Sequence, residues 1–186
     1  MKKSLLIFSI AIGSFVATTT TTFAQNEVMV GGEKMYAKKD IIDNAVNSKN
    51  HTTLVAAVKA AGLVETLKSK GPFTVFAPVN DAFENLPEGT VETLLKPENK
   101  ATLAKILTYH VVSGKLDFNA IMMKIKQGKG KVEIKTVAGG ILTAKMNGDH
   151  NITLTDEKGN SACITTYDVY QSNGVIHVID TVLMPN

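Results

Sequence analysis

The chain predicts an α+β domain in which helices pack on one side of a mostly antiparallel sheet. Three observations carry this. Apolar residues recur at helical spacing from Ile41 to His110, and from about Lys131 onward apolar and polar residues alternate between regularly spaced turns. No segment repeats internally, so a single copy accounts for the pattern. Of the 186 residues, 44% are hydrophobic and 20% charged, a balance that supports a packed core and excludes a disordered or fibrous chain.

Residues 1–24 read as a signal peptide. Lys2 and Lys3 precede an apolar run from Leu5 to Val16, and Thr22-Phe23-Ala24 places small residues where a signal peptidase reads them. The run is too short for the ~20 apolar residues a bilayer needs, and no Cys near the junction offers a lipid anchor. Export is therefore expected, to the periplasm or beyond, with cleavage after Ala24. All 20 basic residues are Lys, and the formal charge of +3 falls by two once Lys2 and Lys3 leave. Lacking the Arg forks that read guanine or clamp phosphate, the chain is not expected to bind nucleic acid. Residues 25–36, with Gly31-Gly32 and no clear period, are expected to be a flexible tether to a domain over 37–186.

In the helical half, Asp40 is placed to cap a helix carrying Ile41, Ile42, Ala45 and Val46. Thr52 or Thr53 opens a second, with Leu54, Val55, Val58 and Ala61 on one face and Gly62 as its stop. A short helix is expected at Val64–Lys68. Gly71-Pro72 breaks the pattern, and Phe73–Ala77 reads as a buried strand ended by Pro78. Asn80 or Asp81 opens the next helix, with Glu84 three after Asp81 as in a capping box. Gly89-Thr90 starts another. Pro97 suits the first turn of a longer helix on which Leu103, Ile106, Leu107 and His110 share a face, so His110 is expected in the core with a hydrogen-bond partner such as a backbone carbonyl. Tyr109 points about 100° away on that helix, toward solvent.

Val132, Ile134 and Thr136 alternate with Glu133 and Lys135, which gives a strand with one wet face. Gly139-Gly140, Asn147-Gly148, Lys158-Gly159-Asn160 and Asn173-Gly174 punctuate four further strand-like runs, implying a sequential antiparallel sheet. Cys163, the one cysteine, lies in such a run; it excludes an intramolecular disulfide and reads as a small buried hydrophobe, with an intermolecular bond as the alternative.

Two stretches resemble the signature boxes of the fasciclin-like domain family: Gly71-Pro-Phe-Thr-Val-Phe-Ala-Pro-Val-Asn-Asp-Ala-Phe83 and Asn173-Gly-Val-Ile-His-Val-Ile-Asp-Thr-Val-Leu-Met-Pro185. Between them Tyr109-His110-Val111-Val112 is similar to the family's tyrosine–histidine motif. The resemblance spans about 37–186 and implies a fasciclin-like fold in an extracellular adhesion or interaction module, without catalysis or cofactor. By its pattern in animal members it also implies partner contact at Tyr109 and His110 and at Asp168 and Val169, with a protein or extracellular material as partner.

Other functions are weighed on the residues themselves. Lys124, Lys126, Lys129, Lys131 and Lys135 crowd one short stretch with Glu133 as the only acid. They read either as a solvated loop and protected edge strand or as a dock for acidic polysaccharide or lipid headgroups. His177 and Asp180 fall on opposite faces of one strand, His51 and His150 in separate loops, and no paired metal-ligand spacing occurs, so no metal is expected. The chain has no nucleophile elbow, phosphate loop or dinucleotide fingerprint. An envelope enzyme would need a triad assembled from scattered Ser, His and Asp. With no Trp and only four Tyr, stacking platforms for neutral sugars are scarce.

Overall fold

The computed structural model describes residues 27–186; the leader 1–24 and its cleavage point lie outside the described residues. The first element corrects the expected tether. Strands β1 (Val28–Val30) and β2 (Glu33–Met35) form a hairpin around Gly31-Gly32. Both glycines have positive φ, as a tight two-residue hairpin turn requires. Val30 and Met35 are buried in the same core as Ile41 and Ile42. Strands of three residues are too short for their period to show in the sequence.

The helical half follows the expected order: α1 (Ile41–Ala45), α2 (Thr52–Ala61), α3 (Val64–Lys68), strand β3 (Phe73–Pro78), α4 (Asn80–Glu84), α5 (Thr90–Leu94) and α6 (Lys100–Tyr109). Asp40 caps α1 by accepting from the Asp43 amide at 2.8 Å, and Gly62 ends α2 in the left-handed conformation. The capping box expected at α4 does not form, since Val79 takes the N-cap position without a side-chain bond. Asn80 turns to the neighbouring helix instead. Its Oδ1 accepts from the Thr53 amide at 3.1 Å and its Nδ2 donates to the Lys49 carbonyl at 2.9 Å, so it caps α2 from a distance.

After α6 come β4 (Val111–Ser113), α7 (Phe118–Gln127), β5 (Lys131–Lys135), β6 (Ile141–Asn147), β7 (Asn151–Thr155), β8 (Ser161–Gln171) and β9 (Gly174–Ile179). One seven-stranded sheet runs in the order β4-β3-β9-β8-β7-β6-β5. The stretch from β5 to β9 is the sequential antiparallel meander read from the turns. The departure is β3, which lies parallel to β9 and antiparallel to β4. β4 and β5 are therefore the sheet's two edges, yet the sheet curls far enough that the Val137 amide, just past β5, donates to the Val111 carbonyl of β4 at 2.7 Å.

Helices lie on both sides of β3 and β9 rather than on one. Val75, Ala77, Ile176 and Val178 face a core completed by Ile41, Leu54, Val58, Leu67, Leu103 and Leu107 of the first helices. Phe76 and Ile179 face a second core of Ile121 and Ile125 from α7 and Leu142, Ile152, Leu154 and Ile164 from the curled meander. That is why Phe73–Pro78 reads as a continuous apolar run: as an interior strand it is buried on both faces.

Candidate functional site

Tyr109 and His110 are structural in this fold. Tyr109 is 0% exposed, which corrects the expectation that it points to solvent. It sits in the second core, where its hydroxyl donates to the Ile141 carbonyl at 2.7 Å and accepts from the Glu157 amide at 3.2 Å. Burial pushes the phenol up to about 12. His110 is 3% exposed, and its Nδ1 donates to the Ile106 carbonyl at 2.8 Å, the kind of partner expected. Its Nε2 accepts from the Leu183 amide at 3.0 Å, so both ring nitrogens are used. Burial pushes its pKa down to about 4, and the ring is neutral at physiological pH.

Val169 is 1% exposed and belongs to the first core, beside Ile176. Asp168 is half-buried and adopts a positive φ of 56° within the irregular stretch of β8, between Thr166 and Val169. Its Oδ1 accepts from the Phe118 amide at 2.8 Å, while Asp117 accepts from Ala120 on the same first turn, so the two carboxylates together hold the N-terminus of α7. The Asp168 amide faces Nδ1 of buried His177, whose Nε2 donates to the Leu116 carbonyl at 2.7 Å. The geometry gives Tyr109, His110 and Val169 no free surface and gives Asp168 a capping task.

The two sequence boxes come together as neighbours. β3 and β9 pair in register from Phe73 opposite Gly174 to Pro78 opposite Ile179. Asn173 locks the arrangement: its carbonyl accepts from the Phe73 amide, its Oδ1 from the Ile41 amide, and its Nδ2 donates to the carbonyls of Leu67 and Ser69. A Cβ on Gly174 would lie 2.2 Å from the Phe73 carbonyl oxygen, so only glycine fits there.

The lysines are presented to solvent. Lys124 and Lys126 lie on the outer side of α7, Lys129 in the following turn, and Lys131 and Lys135 on the wet face of edge strand β5; all are exposed. Pairing of β5 with β6 sets Lys145 directly opposite Lys131. One step past the last ladder pair the Thr136 amide donates to the Gly140 carbonyl at 2.9 Å, so by alternation Lys131 and Lys145 occupy a pair without backbone bonds, where side chains approach most closely. Lys124 and Lys135 line a groove of about 240 Å³ where β4 and β5 diverge, beside Val112, Ser113 and Glu133. Among the described residues none of these six lysines forms an ion pair. Lys145 was missed in the sequence; folding the strands about Gly139-Gly140 is the signal that reveals it.

Among the described residues no group of three His, Cys, Asp or Glu is gathered in metal-binding geometry, and no helix is long and apolar enough to cross a membrane. Cys163 is half-buried rather than buried, on the wet side of β8 with Sγ 3.9 Å from Thr153 Oγ1.

A family model described as Fasciclin domain matches residues 49–185. Protein sll1483 of Synechocystis is 51% identical over 145 residues, covering 78% of this chain and 73% of that protein. The immunogenic protein MPB70 of Mycobacterium bovis is 35% identical, covering 76% of this chain and 66% of that one. Human periostin is 32% identical over 70% of this chain but only 14% of its own length. Among solved structures, a FAS1 domain pair from the insect cell adhesion molecule fasciclin I superposes with a TM-score of 0.70 at 15% identity, over 85% of this chain and 57% of that one.

Proposed function

Since the chain belongs to the fasciclin-domain family, we propose that it is an exported, non-catalytic adhesion module whose partner is an anionic polymer at a cell surface or in extracellular material. The likeness to a pair of domains from a cell adhesion molecule supports the adhesive role. The observation that carries the choice of surface is the pairing of Lys131 with Lys145. Like charges directly opposite on adjacent strands are destabilising; among the described residues neither lysine forms an ion pair, and Glu133, the acid on that face of β5, stands opposite Thr143 rather than either of them. Lys124, Lys126, Lys129 and Lys135 extend the same positive field around the β5 edge and its groove. Such a field steers and holds an acidic chain, and it weakens as salt shortens the Debye length to about 8 Å at physiological ionic strength.

The test is binding of the purified protein to cells and matrix of its source, at low and at physiological salt. Saturable binding that declines as salt rises supports the reading. Salt-resistant binding would put the contact elsewhere on the surface, and no binding at either salt would contradict the adhesive role.

A further inference from the structure

We propose that the basic face takes an extended acidic peptide as an added strand on the open edge of β5, paired with Glu133 and Lys135. This rests on the assignment of that face as the partner surface and identifies the anionic polymer as a polypeptide. The edge is open over a defined window. The Thr136 amide is turned to Gly140, so by alternation Val132 and Ile134 bond to β6 while Lys131, Glu133 and Lys135 turn their amides and carbonyls outward. At one end the window is closed by Gly128, where a Cβ would collide with the Lys131 carbonyl oxygen. At the other it is closed by the bond from the Val137 amide to the Val111 carbonyl at 2.7 Å. Across the groove the His110 carbonyl and the Gly114 amide bond to Phe76 and Pro72, which leaves the Ser113 amide and carbonyl facing outward as well. Among the described residues the backbone groups of Ser113, Glu133 and Lys135 find no partner beyond their ladders.

An unpaired edge is a template for another strand, and the chemistry of this groove selects which one. A short antiparallel segment would exchange backbone bonds with both Lys135 and Glu133. Its middle residue stands opposite Ile134 and points to the apolar floor formed by Val112, Leu116, Val132 and Ile134. The residues on either side point to the wet face. A carboxylate fits opposite Lys135, and a neutral or basic side chain fits opposite Glu133. Lys124 on the groove wall, with Lys131 and Lys145 beside it, favours an acidic segment overall. A second copy of this chain does not suit the edge. Antiparallel pairing of β5 with itself about Glu133 sets Lys131 against Lys135 and Glu133 against Glu133, so like charges meet at every outward position. Main-chain bonds give an added strand its strength and alternate side chains give it selectivity. A polysaccharide without a regular row of amides meets the lysines but not the edge.

The experiment is an NMR titration of the purified protein at low salt with the acetylated, amidated peptide Ser-Glu-Val-Thr-Ser-Glu, and separately with dextran sulfate. The expected result is saturable peptide binding that shifts the Glu133 and Lys135 amides and slows their hydrogen exchange. The same peptide N-methylated at its first Glu and at Thr keeps every charge but loses the donors that face β5. It should bind about tenfold more weakly. Glu133→Pro removes an outward donor without touching the bonds to β6, and should abolish peptide binding while dextran sulfate binding persists. Equal binding of the two peptides, or exchange at Glu133 and Lys135 that bound peptide does not slow, overturns the added strand and leaves a contact of charges alone. Dextran sulfate bound without the peptide overturns it in favour of a polysaccharide partner, with the basic face intact. Failure of the parent protein to bind either probe overturns the basic face together with the strand.

Discussion

The hydroxyl of Tyr109 donates to the carbonyl of Ile141 at 2.7 Å and joins the end of α6 to the start of β6. The tyrosine ring lies so close to the preceding residue that a Cβ on Gly140 would sit 2.7 Å from its Cε2. The tyrosine of the tyrosine–histidine motif thus fastens the helical half to the meander, and its neighbour His110 fastens the same helix end to Leu183.

Tyr109→Phe removes the donor to Ile141 and the acceptor for Glu157 while keeping the ring. It should lower unfolding free energy by about 1–3 kcal/mol and leave binding by the folded protein unchanged. Gly140→Ala forces ring and backbone apart and should cost a similar ~1–3 kcal/mol. Urea unfolding of the two single variants and the double variant measures both effects. An energy for the double variant below the sum of the singles would show that they act on one contact.

Asp168 combines an unusual backbone with a cap. Asp168→Ala loses the bond to the Phe118 amide and keeps the positive φ, a conformation that Asp and Asn tolerate better than Ala. A loss of about 1–2 kcal/mol is expected, against a smaller one for Asp168→Asn, which retains an acceptor. Hydrogen exchange at the first turn of α7 should rise in the alanine variant and stay low in the asparagine variant.

The buried histidines set a pH dependence. His51, His110 and His177 all have folded pKa values below the ordinary imidazole value, from burial in each case. The unfolded chain therefore takes up protons first as pH falls. The stability these rings contribute is intact above about pH 6.5 and is lost progressively toward pH 4, where His110 itself titrates. His110 alone accounts for up to about 3 kcal/mol over that window. Chemical unfolding midpoints measured between pH 4 and 7.5 should fall as pH falls, and the His110 ring signals should stay neutral down to about pH 5.

Much of this architecture is legible in the residues. The Asp40 cap, the Gly62 stop, the helical face of Leu103, Ile106 and Leu107, and the turns at Gly139-Gly140 and Asn173-Gly174 are local signals, and each appears where its chemistry places it. What local signals do not carry is partnership. Phe73–Ala77 announces a buried strand, but its parallel pairing with Gly174–Ile179 is a contact between segments far apart in the chain. Asn80 has the chemistry of a cap, yet the helix it caps is α2 rather than its own. Helical spacing gives the angle between Tyr109 and His110; the second core that encloses Tyr109 is built by strands that follow much later. The exposed lysines were visible as a run, whereas the opposition of Lys131 and Lys145 needs the strand register.

Asn80→Ala tests the remote cap directly. It removes the acceptor for the Thr53 amide and the donor to Lys49, and a loss of about 1–2 kcal/mol is expected. Amide exchange should quicken in the first turn of α2 while α4, which Asn80 does not cap, is little changed.

The basic face is tested most directly by Lys145→Glu, with stability and binding measured on the same sample. The substitution exchanges a like-charge pair across β5 and β6 for an opposite-charge pair with Lys131. It should therefore raise unfolding free energy by a few tenths to about 1 kcal/mol. The same change places a negative charge in the path of an acidic partner, and binding to a dextran sulfate surface at low salt should weaken by about tenfold. A variant more stable than the parent yet weaker in binding is the predicted result. Binding equal to the parent's in a stabilised variant would contradict the assignment of this face.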